Sequence, residues 1–308
     1  MSRNSRVLVA AALALGLVAG SCGTSTPADA PTTSPGTAGF PATAGSLTLD
    51  ERPTRIVALS PSATEVLFAI GAGEQVEAVD DNSTHPAEAP RSDLSGFQPN
   101  AEAIARYEPD LVVISDDLNQ IVDQLGKLKI PVYLAGPART LDDTYTQIGD
   151  LGRLTGHVDE ATDLVTRMKD DIAGIIADVP RRQDKPTYYY ELDQTLYSVT
   201  GQTFVGKLFE QVGLVNVADA VDSGQAGTGY PQLSAEFVIK ADPDLIFLAD
   251  TKCCQQSADT VKARPGWGDI TAVRTNRIVA LDDDIASRWG PRVVELVRAV
   301  ADAAGEVG

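Results

Sequence analysis

The sequence predicts an α/β protein of two Rossmann-like lobes with parallel-type sheets, joined by a single long bridging helix. Three observations carry the prediction. Asn100 to Ser115 returns as Ser234 to Ala249: a polar cap opens each copy, Ala-Glu follows, and both reach Pro-Asp-Leu in the same register. Self-similarity at a fixed offset marks two comparable units. Arg55-Ile-Val-Ala-Leu59 recurs letter for letter as Arg277-Ile-Val-Ala-Leu281, which suggests matched strands. Between the repeats, Ala161, Leu164, Met168, Ile172 and Ile175 fall at helical spacing. Asp159 to Val179 therefore reads as a helix of about 30 Å, the width of a small domain.

In chain order, Arg55 to Ser60 is a buried-strand run. Ser62-Ala-Thr-Glu65 matches a capping box. Val66, Leu67 and Ile70 supply the helix face behind it, and Gly71 and Gly73 end it. Leu111 to Ile114 is a continuous apolar run of parallel-strand type. A helix over Leu118 to Leu128, a strand over Pro131 to Ala135 and a helix over Leu141 to Leu154 follow, with a break at Gly156. This alternation argues for a parallel sheet covered by helices. The second lobe opens at the strand Tyr188 to Tyr190 and continues through a helix over Phe204 to Val212, stopped by Gly213. It ends in a helix that Pro291 opens and that runs through Ala304.

The start of the chain predicts export. Arg3 and Arg6 precede an apolar run from Val7 to Ala19, too short to span a bilayer comfortably. Leu17-Val-Ala-Gly-Ser-Cys22 resembles the lipobox of bacterial lipoproteins, which implies cleavage before Cys22 and a lipid on its sulfur. Cys22 to Asp50 holds no Lys or Arg and is rich in Thr, Ser, Pro, Ala and Gly. Such a segment lacks the apolar surface to order itself. The expected division is a leader over 1–21, a disordered tether over 22–51, an N-terminal lobe over 52–158, a bridging helix over 159–180 and a C-terminal lobe over 181–308.

The chain carries 43 acidic against 25 basic residues, a net charge of −18. That excess disfavours nucleic acid and anionic lipid surfaces as partners. Gly201 to Lys207 looks like a phosphate loop, but Leu208 stands where a hydroxyl must hold Mg²⁺. No Gly-x-Ser-x-Gly elbow and no His-Glu-x-x-His occurs. Of the two histidines, His157 reads as a surface cap at a helix break. His85, before Pro86, is the candidate base of an exported hydrolase or an axial contact to an iron porphyrin. An oxidising compartment gives no reason to keep free thiols, so Cys253 and Cys254 are read as a vicinal disulfide. Two cysteines alone make a poor metal site, and no metal centre is expected.

Ligands of parallel α/β sheets bind outside the carboxyl ends of the strands. Phe97 and Tyr230 each precede their lobe's repeated helix, and Asp282 to Asp284, Arg288 and Trp289 follow the strand Arg277 to Leu281. All are placed to fall at such an edge.

Arg55 to Glu65, Pro109 to Val113, Pro243 to Leu245 and Pro291-Arg292 together resemble the binding proteins of ABC importers for metal chelates. The resemblance covers about residues 52 to 304, and the vitamin B12 binders are its nearest branch. It implies a class III periplasmic-binding-protein architecture of two lobes on one long helix, with no catalysis. It implies capture of a cobalamin-like chelate, a haem or a ferric siderophore, with no cofactor of the protein's own. Glu102 and Glu236 look like the carboxylates that dock into the permease. Phe97, Tyr230, Asp284 and Arg288 look like ligand contacts. Asn82 and Ser115 stand where the B12 binders carry aromatics. The partners implied are a permease in the cytoplasmic membrane and the chelate, for a monomeric protein held outside the cell by lipid alone. The competing readings are the His85 hydrolase and a non-transport envelope interaction module.

Overall fold

The computed structural model describes residues 39–221 and 229–307. The leader and Cys22 lie outside them. In the N-terminal lobe the strands are β1 (Ala42–Ala44), β2 (Leu47–Leu49), β3 (Ile56–Leu59), β4 (Val76–Val79), β5 (Leu111–Ile114) and β6 (Val132–Leu134). Its helices are α1 (Pro61–Ala69), α2 (Ala101–Ala105), α3 (Ile121–Lys127) and α4 (Leu141–Thr155). Then comes α5 (Val158–Asp178). The C-terminal lobe holds β7 (Thr187–Glu191), α6 (Phe204–Val212), β8 (Val215–Asn216), α7 (Ala235–Ala241), β9 (Leu245–Leu248), α8 (Ala258–Lys262), α9 (Thr271–Arg274), β10 (Ile278–Ala280), α10 (Asp283–Ala286) and α11 (Val293–Glu306).

Each lobe is a four-stranded parallel sheet, ordered β4-β3-β5-β6 in the first and β8-β7-β9-β10 in the second. The topologies are the same, so the repeated segments α2–β5 and α7–β9 occupy equivalent places. The Pro-Asp-Leu motif has a structural task in both. Asp110 accepts from the backbone N–H of Thr54 and of Arg55 at 2.7 and 2.9 Å, and Asp244 accepts from that of Thr187 at 2.9 Å. Each aspartate thus pins the start of its lobe's central strand. The other repeat misleads. Arg55 to Leu59 supplies β3, whose residues are all buried, whereas Arg277 to Leu281 supplies the edge strand β10, whose residues are half-buried or exposed. The partner of β3 in the second lobe is β7.

Alternate strand residues face opposite layers. Val57, Leu59, Val112 and Ile114 pack under α2 and α3. Tyr189, Ile246 and Leu248 pack against Trp267 and Ile270. The inward set, Ile56, Leu111, Tyr188 and Phe247 among them, joins α1, α4, α5, α6 and α11 in one core that runs through both lobes. Helix α5 has 21 residues and buries Ala161, Leu164, Met168, Ile172 and Ile175, as its spacing predicts. Because the core is continuous across α5 and α11, the lobes are held together by packing and not by a strand-like hinge.

Two local expectations change. Residues 42–49 are not tether but an antiparallel hairpin with Ala42, Ala44 and Leu49 buried. Short alternation in a Thr- and Ala-rich stretch hides this signal. Helix α1 starts at Pro61 with Ser60 as its cap, accepting from the N–H of Ala63 at 3.4 Å. Glu65 is therefore not a capping acid, and its carboxylate goes elsewhere. Gly206, the second glycine of the phosphate-loop lookalike, lies against the carbonyl of Thr200, where a Cβ would collide.

Candidate functional site

Loops after all four strands of the first lobe meet one segment of the second. Pro61 and Ser62 follow β3, Asp80 and Asn82 follow β4, Ser115 and Asp116 follow β5, and Pro137 follows β6. Facing them are Asp284, Ser287, Arg288 and Trp289. Together with Gly96 and Phe97 they enclose about 440 Å³. Two hollows of 620 and 610 Å³ lie elsewhere, but this one sits at the carboxyl ends of parallel strands, where the fold places ligands.

Five residues expected at a ligand site, Asn82, Phe97, Ser115, Asp284 and Arg288, line this one cavity. Phe97 leaves 73% of its surface exposed, a large ring with no protein partner to bury it. Tyr230 does not line the cavity. It belongs to the loop that runs back past Ser198 and Thr200, and its phenol acts electrostatically on Tyr190. Asp80 and Asp116 escaped the sequence reading. The signal for Asp80 was the strand before it, β4, whose alternating Val-Glu-Ala-Val is short. Gly96 lets the Phe97 loop close on the strand end, since a Cβ there would stand 2.8 Å from the carbonyl oxygen of Leu59.

Arg288 lines the cavity but does not offer it a free charge. Its guanidinium, 9% exposed, donates to Glu65 at 3.0 Å, to the carbonyl of Asn82 at 2.9 Å, to Thr84 at 3.3 Å and to Asp284 at 2.8 Å. Glu65, buried on α1, also accepts from Arg292 at 2.6 and 3.1 Å. A buried carboxylate needs such pairing, because burial otherwise disfavours its charge. Asp284 is shared with Lys252 at 3.0 Å and Thr84 at 3.2 Å. Asp80 is bonded by the hydroxyl of Ser83, and burial nonetheless pushes its carboxyl above the ordinary range. The walls thus pair apolar Leu59, Pro61, Phe97, Leu118, Pro137 and Trp289 with carboxylates.

The sequence matches the periplasmic binding protein family over residues 56–285. The chain belongs to that family. It is 29% identical over 265 residues to the ABC transporter substrate-binding lipoprotein YvrC of Bacillus subtilis, covering 83% of this chain and 81% of that one. It is 30% identical over 265 residues to a cobalamin-binding protein of Halobacterium salinarum, covering 83% of this chain and 71% of the other. A crystal structure of a possible iron-binding, periplasmic solute-binding protein from Staphylococcus epidermidis superposes with a TM-score of 0.69 at 25% identity, covering 82% of this chain and 98% of that one. The two-lobed α/β architecture is that of class III periplasmic binding proteins.

On this periplasmic binding protein, Glu102 and Glu236 occupy the first turns of the matched helices α2 and α7, both exposed. Neither has an ion-pair partner among the described residues. The helix dipole favours an acid at each position, and that preference leaves both charges available to a cationic partner.

The histidines stand apart from the cavity. His85 lines a separate 220 Å³ hollow with Phe68, Pro86 and Arg292, so a base there would reach nothing in the main cavity. His157 does stand at the N-cap position of α5, but its ring makes no capping bond and is largely covered. Its Nε2 lies 2.7 Å from Arg52, and burial and that cation hold the imidazole below its ordinary pKa.

Cys253 and Cys254 are free thiols, which corrects the expected disulfide. The turn that carries them is fixed by backbone bonds: Thr251, Lys252 and Cys253 all donate to Asp283, and Cys254 donates to the carbonyl of Asp250. A bond between neighbours would have to distort a peptide held this way. The Asp250 carboxyl is fully buried, and neither oxygen receives a donor hydrogen bond. It faces Glu191, whose own carboxylate is gripped by Arg264 at 2.5 and 2.6 Å and by the phenol of Tyr189 at 3.2 Å. Burial first, and then the Glu191 charge, push Asp250 up to about 7.

Proposed function

We propose that this chain is the extracytoplasmic substrate-binding lipoprotein of an ABC importer, anchored through Cys22, and that its cargo is a corrinoid of the cobalamin type. The observation that carries the reading is the lining of the cavity. Its apolar faces suit a flat macrocycle, and its polar groups are Asn82, three serines (Ser62, Ser115 and Ser287), three carboxylates and the already paired Arg288. Haem iron asks for an axial His, Tyr, Met or Cys, and among the described residues none of these lines the cavity. An anionic porphyrin or ferric siderophore asks for a free cation, and Arg288 is already committed to Glu65 and Asp284. A corrinoid brings its own cobalt ligands and presents neutral amide edges, which carboxylates and Asn82 accept and donate to. The metal arrives with the cargo, so the protein needs no cofactor and performs no reaction. The identity to a cobalamin-binding protein supports the same choice.

Delivery follows from the two lobes. Glu102 and Glu236 lie in the first turns of equivalent helices and would seat in basic pockets of a two-sided permease by charge-assisted bonds. A monomer suffices for this. The direct test titrates the purified protein with cyanocobalamin, haemin and a ferric hydroxamate, following quenching of Trp289 and the ligand's own absorption. Cyanocobalamin alone should bind with one equivalent per chain. Saturable haemin binding with a shifted Soret band and no cobalamin binding would overturn the cargo assignment. No binding by any of the three would favour an envelope interaction module.

A further inference from the structure

A hollow of about 620 Å³ lies at the opposite end of the second lobe from the cavity. It forms where α5 ends and β7 and β8 begin. Its walls are apolar: Ile176 and Val179 from the end of α5, Val212 and Leu214 around the end of α6, and Ala304 from α11. Its rim is cationic, with Arg181, Arg182 and Lys185 all contributing, and no acidic residue lines it. Asp178 and Asp184 flank this segment in the chain but do not line the hollow, so the lining itself is cationic in a chain of net charge −18. Arg181 and Lys185 are exposed and carry no ion pair among the described residues. Arg182 makes one long bond, at 3.4 Å to the carbonyl of Gly305, while its Nε is buried with no acceptor at all.

We infer that this hollow is a second ligand site, independent of the cavity between the lobes, for a single-chain amphipathic anion such as a fatty carboxylate. The apolar walls take the chain. The head lies among the three cations and gives the Arg182 Nε the acceptor it lacks. The volume falls within the range of small-molecule sites, roughly 300–1,000 Å³. Charge complementarity selects the sign of the head, and the apolar lining separates such a ligand from a bare anion. The site lies at the amino ends of the strands, while Glu102 and Glu236 lie toward the carboxyl ends, so both sites can be filled while the protein is docked.

The test uses the mature chain with Cys22→Ser, so that it carries no lipid, and monomeric laurate, followed by titration calorimetry, with three variants. The exposed rim pair is reversed in R181E/K185E. The exposed wall residue Ala177 becomes Trp in A177W, which places an indole over the hollow. Phe97→Ala serves as the control at the other site. Laurate should bind with one equivalent per chain. Binding should weaken at least about tenfold in R181E/K185E, where two attractive charges become repulsive. It should be lost in A177W and be unchanged in F97A. Inorganic phosphate should not compete, and phosphatidylglycerol vesicles should not recruit the protein. The proposal is overturned by no laurate binding, by equal binding to R181E/K185E, by loss of binding in F97A, by competition from phosphate alone, or by recruitment to vesicles without binding of free laurate. Cyanocobalamin titration of R181E/K185E reads the other site separately, so failure of one assignment leaves the other standing.

Discussion

Glu65 and Arg288, 223 residues apart in the chain, meet at 3.0 Å across the boundary between the lobes. Arg292 closes on the same carboxylate at 2.6 Å. Their side chains are 2%, 9% and 18% exposed, so the contact is a buried ion triad and not a surface bridge. It lies directly behind the cavity, fixing the segment that carries Asp284 and Trp289 against the first helix of the other lobe.

Removing the shared acid leaves Arg292 without its ion-pair partner and leaves Arg288 with Asp284 alone. Glu65→Ala should cost about 3–5 kcal/mol of stability, the range for breaking a buried pair by deleting one partner. Thermal unfolding checks this. Glu65→Leu combined with Arg288→Met and Arg292→Leu should recover most of the loss, because the penalty comes from unpaired charge and not from missing volume. A full loss in the triple variant would show that packing, not pairing, holds the boundary.

Phe97 is 73% exposed and contributes little burial to the fold, so Phe97→Ala should leave the melting temperature nearly unchanged. Its ring is the largest free apolar face on the cavity. Loss of stacking area should weaken cyanocobalamin binding roughly tenfold, measured by quenching of Trp289.

Reversing both matched carboxylates, in E102K/E236K, should abolish cargo delivery by the reconstituted importer while ligand affinity in solution stays the same. Undiminished uptake would remove the docking role from α2 and α7.

The buried Asp250 predicts a pH dependence. Its carboxyl is raised from an ordinary 3.8 to about 7, so the fold binds that proton more tightly than the unfolded chain does. This contribution is fully present below the unfolded value and is lost as pH rises through about 7. Asp250→Asn should therefore raise the melting temperature more at pH 8 than at pH 5. An equal shift at both values would mean that the carboxyl is already ionised in the fold.

Gly206→Ala should destabilise the second lobe by about 1–3 kcal/mol, since a methyl has no room beside the Thr200 carbonyl. A neutral result, read by chemical denaturation, would mean that α6 can shift outward at no cost.

The repeat built on Pro-Asp-Leu was legible because it is local: a capped helix, a turn and a buried strand whose aspartate pins the neighbouring strand. Helix α5 was legible for the same reason, its buried stripe being written at a constant period. The identity of Arg55–Leu59 with Arg277–Leu281 was not a guide, because five letters describe an apolar strand and not its place in a sheet. β4 and the β1–β2 hairpin were missed because strands of three or four residues give too few alternations to stand out. Asp284 was found by its position after a strand and Phe97 by its place before the repeated helix, whereas Asn82 and Ser115 came only from the family resemblance, and Asp80 was lost with β4.

By itself, the sequence determined the two-lobed α/β plan, the long helix between the lobes and the edge of the sheets where a ligand belongs. These follow from periodicity and capping, which each segment carries within a dozen residues. Only the tertiary structure decided that Glu65 is a bridge and not a cap, that Arg288 is spent on it, and that Asp250 is buried without a donor. Those outcomes depend on which charge arrives from more than two hundred residues away, or on whether any arrives at all. The energy of a buried charge is set by that neighbour and not by its own segment.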